Sequence, residues 1–72
     1  MSIGERAAQA VFERAIAEGT SVAEQYEKLK LARAVQYHWE TERNDPSAYA
    51  LRQLALAGYD VVWILTGGDR SG

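Results

Sequence analysis

Apolar residues recur at helical spacing through the first part of the chain. Within Ile3–Glu18 they return every three or four positions, which places them on one face of an α-helix. Ser2 and Glu5 have the types and spacing of a capping box, and Gly19 is a typical residue to end a helix. The pattern therefore predicts a first helix over this range.

Two shorter helical segments follow with little chain between them. Apolar spacing predicts one helix over about 22–29, with Ser21 as its cap, and another over about 32–42. Only Lys30 and Leu31 clearly remain for the connection. Two helices joined by so short a turn must cross at a steep angle, which is the arrangement of a helix-turn-helix.

The last two segments complete the predicted fold. Ser47 can cap a fourth helix, which Gly58 ends. The apolar residues 61–65 have the propensity of a strand, but a lone strand would leave its backbone groups unpaired. Asp60 is a suitable helix cap and Gly67 a suitable stop, so we predict a short fifth helix there.

Composition excludes several classes of protein. The 72 residues include no cysteine and one histidine, which rules out disulfides and a structural zinc site. No apolar run approaches the roughly 20 residues of a membrane span, and the N-terminus has no signal-peptide pattern, so we expect a cytoplasmic protein without a membrane partner. The sequence contains neither a glycine-rich phosphate-binding loop nor a pair of carboxylates within an apolar run. We therefore expect neither an enzyme nor a cofactor. We assign an all-α domain, a compact bundle of about five short helices, to 1–68 and a disordered tail to 69–72.

Three stretches carry a resemblance to a known family. "SVAEQYEKLKLARAVQYHWE" aligns without gaps on the two-helix signature of the lambda-repressor-like DNA-binding domain, and "RNDPS" resembles the loop that follows. "LRQLALAGYDVVWILTGG" resembles the closing stretch of phage-repressor and XRE-type regulators. The resemblance implies a lambda-repressor-like bundle with its helix-turn-helix at helices 2 and 3. The chain departs from the family at Tyr26, where a small residue is usual, and at Lys30, where glycine is usual.

The resemblance also implies a transcription regulator that occupies a double-stranded DNA operator as a homodimer. By position, the candidates for base contacts are Arg33, Ala34, Gln36, Tyr37 and His38. Arginine pairs with guanine, glutamine pairs with adenine, and alanine contacts the thymine methyl group. The candidates for phosphate contacts are Ser21, Lys28, Lys30, Arg43 and Asn44. The candidates for the dimer interface are Val61, Val62, Trp63 and Leu65.

Three of these assignments have alternatives. The family's apolar position in the middle of helix 3 falls on Gln36, whereas the apolar Val35 is next to it. The sequence therefore leaves open which residues of helix 3 face outward. Trp39 is expected in the core rather than in a binding role. Trp63 suits core packing and a dimer contact equally.

Charge supports a rival to DNA binding. Between residues 21 and 44 the four cations are balanced by four anions, whereas phosphate neutralisation supplies the non-specific affinity for DNA. This balance, the two departures and the aromatic cluster 37–39 favour a protein-interaction module of the same fold, such as an antirepressor or an adaptor. An antitoxin, which binds both DNA and a toxin, is a third alternative. The chain is either a naturally short regulator or the DNA-binding half of a longer one.

Overall fold

Five α-helices make up the described part of the chain, residues 1–41 and 44–68 of a computed structural model. In chain order they are α1 (Ile3–Glu18), α2 (Val22–Lys28), α3 (Arg33–Glu40), α4 (Ala48–Leu56) and α5 (Val61–Thr66). The predicted all-α class is confirmed, and 61–65 is helix rather than strand. The Cα radius of gyration is 11.0 Å, which matches the roughly 11 Å of a compact chain of this length. The predicted tail, 69–72, lies outside the described residues.

The side chains expected to cap helices do so. In the capping box before α1, Ser2 Oγ accepts from the Glu5 N–H at 3.1 Å, and Glu5 Oε1 accepts from the Ser2 N–H at 2.8 Å. Ser21, Ser47 and Asp60 each accept a bond from the backbone N–H three residues further along. Each cap stabilises its helix by about 1 kcal/mol. Because these contacts are local in sequence, they set the helix starts that the sequence predicts.

α1 is the helix on which most of the others pack. It contacts α2, α3 and α5, whereas α4 packs against α5. Its buried face consists of small side chains and one valine: Gly4, Ala7, Ala8, Val11 and Ala15. The approach is closest at Gly4, where a Cβ would lie 2.9 Å from the Asn44 carbonyl oxygen and 3.2 Å from the Cα of Trp39. The missing side chain at Gly4 therefore allows the backbone at the end of α3 to lie against α1.

Two aromatic rings fill the space between α2 and α3. Tyr26 and Trp39 are 1% and 2% exposed, and their ring centroids are 5.7 Å apart. Leu54 of α4 and Ile64 of α5, both fully buried, extend this core. Trp39 thus lies in the core, as predicted. Burial of side chains of this size contributes about 1.5–3 kcal/mol each before the cost of ordering the chain.

α5 is attached to α1 by one arginine. Arg6 Nε donates to the Ile64 carbonyl at 2.8 Å, and Nη2 donates to the Leu65 carbonyl at 3.2 Å. Nη1 of the same guanidinium donates to the Met1 carbonyl. A cation at the C-terminal end of a helix is also favoured by the helix dipole. Because α5 has only six residues, it depends on this contact and on the burial of Ile64 rather than on intrinsic helix propensity.

Two phenol hydroxyls are buried without a hydrogen bond. The Oη atoms of Tyr26 and Tyr59 have no hydrogen-bond partner within the described ranges. Burial raises the pKa of both phenols above the usual value, and the Glu40 carboxylate raises the pKa of Tyr26 further. The Arg14 guanidinium, 4.1 Å from the centre of the Tyr59 ring, acts in the opposite direction on the pKa of Tyr59. An unpaired buried hydroxyl costs about 1–3 kcal/mol relative to one that bonds water.

Tyr26→Phe should therefore leave the fold as stable or make it more stable, by about 1 kcal/mol, because it removes an unpaired hydroxyl and keeps the ring. Burial in the folded state raises the pKa of Tyr26 above the value of about 10 that it has in the unfolded chain. Below pH 10 the phenol is neutral in both states and the protein keeps its full stability. Above pH 10 the unfolded chain loses the proton first, so the free energy of unfolding falls as the pH rises. Chemical denaturation between pH 7 and pH 11 measures both effects, and the variant should lose less stability above pH 10.

Tyr37→Phe is the matched control for the removal of a hydroxyl, because Tyr37 is 60% exposed and its substitution should leave the stability at pH 7 unchanged. A Tyr26→Phe protein that is clearly less stable at pH 7 would contradict the assignment of the hydroxyl as unpaired.

Candidate nucleic-acid interface

The connection between α2 and α3 is a tight turn that contains a left-handed residue. Lys30 has φ 59° and is the one non-glycine residue with positive φ among those described. The N–H groups of Lys30 and Leu31 donate to carbonyls in the last turn of α2, at 2.9 and 3.0 Å. These two bonds form a Schellman motif, in which glycine is the usual left-handed residue. From α4, Gln53 Nε2 donates to the Leu29 carbonyl at 3.2 Å and holds the turn from outside.

A buried amide fixes the start of α2 relative to α1. Gln25 is 3% exposed, and its Nε2 donates to Glu18 Oε1 at 2.9 Å and to Thr20 Oγ1 at 2.7 Å. The bond from Gln25 is the main reason that the pKa of Glu18 lies below its ordinary value. The carboxylate at the end of α1 therefore stays ionised at neutral pH and holds α2 in place.

Two side chains determine which face of α3 points inward. Trp39 is in the core, and Val35, one turn earlier, packs against it. Gln36 is half-buried at the edge, where its Nε2 donates to Glu40 Oε1 at 3.0 Å. The inward position that the sequence left open is thus taken by Val35 rather than by Gln36. This choice fixes the direction of every other side chain on the helix.

The opposite side of α3 is exposed, and we call it the outward face: Arg33, Ala34, Tyr37 and Thr41. Tyr37 lies at its centre and is 60% exposed. The ring of His38, at the edge of this face, meets the Tyr37 ring edge-on with a centroid distance of 6.0 Å. The residue before α3 is Ala32, which has no side-chain oxygen to cap the helix. No N-cap side chain therefore accepts a hydrogen bond from the first N–H groups of α3.

Other predicted contact residues lie around a cleft beside the outward face. The cleft has a volume of about 420 Å³ and separates α3 from the start of α4. Lys30, His38 and Asn44 all line it, together with the apolar side chains of Val35 and Trp39. The structure therefore brings a lysine, an imidazole, an amide and the carboxylate of Asp45 together at one edge of α3.

The remaining candidates for phosphate contacts lie further away. Ser21 is exposed at the start of α2, where its Oγ accepts from the Glu24 N–H. Lys28 Nζ is 3.6 Å from Glu18 Oε1, so part of its charge is already balanced within the molecule. Arg43 lies outside the described residues.

Two other arginines are held within the fold and are not available to a polyanion. Arg6 binds the end of α5, and Arg14 donates to the Ala57 carbonyl at 3.1 Å while it covers the Tyr59 ring. Lys30 and Arg33 are the exposed cations of the turn and α3 in the described residues. Two exposed carboxylates, Glu40 on α3 and Asp45 at the cleft, offset these cations, so the charge next to the outward face is close to balanced.

The predicted dimer residues divide into two pairs. Val62 and Leu65 are 66% and 44% exposed, whereas Val61 and Trp63 are half-buried and pack against the core. Leu56, which the sequence did not single out, is 70% exposed at the end of α4. Phe12 and Ile16 of α1 are also exposed, although both are apolar. Only the tertiary arrangement shows that some apolar residues of α1 lie outside its buried face.

No described helix combines the length and the apolar character needed to cross a membrane. The part of the chain that the structure describes contains no group of three potential metal-ligating side chains. In comparisons with known proteins, the chain matches no protein-family model, no curated protein and no solved structure.

Replacing Lys30 by glycine should stabilise the protein. The left-handed conformation costs a lysine about 1–2 kcal/mol, and the greater freedom of glycine in the unfolded chain offsets part of this gain. We expect Lys30→Gly to be about 0.5–1 kcal/mol more stable than Lys30→Ala, which loses the same charge but keeps the strained backbone. Urea denaturation of the two variants measures the difference. Equal stability would show that the turn does not hold this residue in the left-handed region.

Proposed function

We propose that this protein is a sequence-specific DNA-binding transcription regulator that places α3 in the major groove. The observation that carries the proposal is the outward face, which is exposed while Trp39 anchors the same helix in the core. The major groove admits one α-helix, and a few side chains near the start of that helix then reach the base edges. In this proposal α2, the turn at Lys30 and α3 form the helix-turn-helix of a lambda-repressor-like domain.

The chemistry of the base contacts follows from the position of each side chain. Arg33, in the first turn of α3 and exposed, can donate two hydrogen bonds to the O6 and N7 atoms of guanine. Ala34 beside it can contact a thymine methyl group. Gln36 is bonded to Glu40 and must exchange that bond before it pairs with adenine. His38 lies at the edge of the outward face and lines the cleft.

The candidates for phosphate contacts lie around this face. Lys30 and Asn44 line the cleft, and the Ser21 hydroxyl is exposed at the start of α2. Lys28 contributes less, because it must leave Glu18 to bind a phosphate. Few phosphates are neutralised by one copy, so a single domain binds weakly and with a shallow dependence on salt.

A homodimer overcomes this weakness by binding two half-sites about one helical turn apart. Val62 and Leu65 on α5 are exposed apolar side chains that suit a two-fold contact, and Val61 and Trp63 support them from the core side. Exposed apolar side chains that cluster on one short helix favour an interface over isolated exposure. In this proposal the dimer, rather than the charge of one copy, provides the affinity.

The rival function is a protein-interaction module of the same fold. It is favoured by the balance of charges around α3 and by the exposed ring of Tyr37, since aromatic residues are enriched at protein interfaces. DNA binding is preferred because Arg33 and Lys30 are exposed on the side where α3 would meet the groove, and no described residue forms an ion pair with either.

Selection of bound duplexes from a random DNA pool, at low and at physiological salt, tests the proposal. The proposal predicts enrichment of a two-fold symmetric site that persists at the higher salt. An absence of enrichment at both salt concentrations, with folded protein, would overturn it and favour the protein-interaction module.

Arg33→Ala should weaken binding to the enriched site by about 1–3 kcal/mol and remove the preference at one base pair in each half-site. Competition binding with single-position variants of the site measures both effects. Arg52→Ala is the control, because Arg52 is equally cationic and exposed but lies on α4. If both variants lose affinity uniformly across all site variants, Arg33 acts through phosphate and not through a base.

Val62→Glu should give a folded monomer at micromolar concentration, because it buries a charge in the proposed α5 contact. Ile16→Glu removes an apolar side chain that is equally exposed, at 66%, but lies on α1, and it should leave the dimer intact. Analytical ultracentrifugation measures the mass, and circular dichroism checks the fold. A Val62→Glu protein that remains dimeric would place the interface elsewhere.

A further inference from the structure

The outward face of α3 carries one large aromatic side chain, Tyr37, which is 60% exposed. Tyr37 is its largest member and lies at its centre, between Arg33 and Ala34 one turn before and Thr41 one turn after. Arg33 is the single cation among these four residues. The ring of Tyr37, the methyl group of Ala34 and the side chain of Thr41 form the rest of this face, and the exposed carboxylate of Glu40, which accepts from Gln36, lies at its edge.

The Tyr37 ring is presented by a fixed support. Its backbone lies in the middle of α3, and its carbonyl accepts from Thr41 Oγ1 at 2.7 Å. The edge-on contact with His38 limits the ring on one side. A tyrosine side chain has only two rotatable torsions that matter, so it loses little conformational entropy when it forms a contact.

The major groove presents one base with an apolar group, which is the C5-methyl of thymine. Guanine, adenine and cytosine present only hydrogen-bonding atoms there, whereas thymine presents its methyl group beside the O4 acceptor. An aromatic ring placed against those atoms would leave them unpaired and out of water, which is costly. Placed against a methyl group, the same ring buries apolar surface on both partners.

We propose, on the basis of the DNA-binding function proposed above, that Tyr37 is a specificity-determining residue that selects thymine through its C5-methyl group. Arg33 and Tyr37 are four residues apart, about 6 Å along the helix axis, and successive bases on a strand rise by about 3.4 Å. The selected thymine therefore lies one or two base pairs from the guanine that Arg33 binds. Each half-site combines one guanine contact with one thymine contact at that separation.

The test begins with the duplex enriched from the random pool and replaces its thymines by deoxyuridine, one position at a time. Deoxyuridine keeps the base pairing and lacks only the methyl group. We expect about fourfold weaker binding at the thymine next to the Arg33 position, which is the loss for one buried methyl-sized group. Tyr37→Ala should bind more weakly and should no longer distinguish thymine from deoxyuridine at that position.

Two further variants separate the contribution of the Tyr37 ring from those of its hydroxyl and of Arg33. Tyr37→Phe keeps the ring and should retain both the affinity and the preference for thymine. Arg33→Ala should lose the guanine preference and retain the dependence on the methyl group. Double-mutant cycles between the methyl group and each side chain should then show coupling to Tyr37 and none to Arg33.

The possible failures are distinguishable. An enriched duplex for which Tyr37→Ala still prefers thymine over deoxyuridine overturns this inference and leaves the DNA-binding function intact. A Tyr37→Phe variant that loses as much affinity as Tyr37→Ala also overturns it, because the hydroxyl and not the ring would then make the contact. Failure to enrich any duplex overturns the proposed function and this inference with it.

Discussion

The orientation of α3 depends on the burial of Trp39. The Trp39 indole lies against the Tyr26 ring. The Trp39 backbone lies so close to Gly4 that a side chain at position 4 would clash with it. Trp39 is 2% exposed and lies near the C-terminal end of the eight-residue α3. Its burial therefore fixes the rotation of α3 about the helix axis. That rotation directs Val35 inward and Tyr37 outward. The proposed recognition surface is thus a consequence of core packing.

Large and small side chains compensate each other around this contact. Tyr26 is large, and the space for aromatic rings comes from the narrow face of α1, which is Gly4 and alanines for most of its length. Alternation of large and small residues across an interface is how cores reach native density. The cost is the Tyr26 hydroxyl, which is buried with no hydrogen-bond partner in the described ranges.

Much of the fold could be predicted from the sequence because its signals are local. Serine and aspartate caps and glycine stops act within four residues, and the helix bounds follow from them to within one or two positions for the described residues. The contact of Arg6 with α5 spans 58 residues, and no pattern in the sequence reports it.

The candidate site was less accessible to sequence reasoning, because consecutive helical residues differ by about 100° in direction. A choice between Val35 and Gln36 as the inward residue changes which side chains are exposed, and only the packing of Trp39 and Val35 together decides it. The same holds for α5, where a run of apolar residues does not show that Val62 is exposed and Ile64 is buried. The left-handed backbone conformation of Lys30 could not be predicted from the residue type either, because glycine rather than lysine is the residue that usually adopts it.

In the proposed function, the outward face of α3 is the surface that meets DNA. Its most direct test is the change in backbone amide NMR shifts on titration with the duplex enriched from the random pool. We expect the largest changes in the turn and along α3, from Lys30 to Thr41, with smaller ones at Ser21 and Asn44. Changes concentrated on α1 around Phe12 and Ile16, with α3 unaffected, would contradict this assignment of the surface.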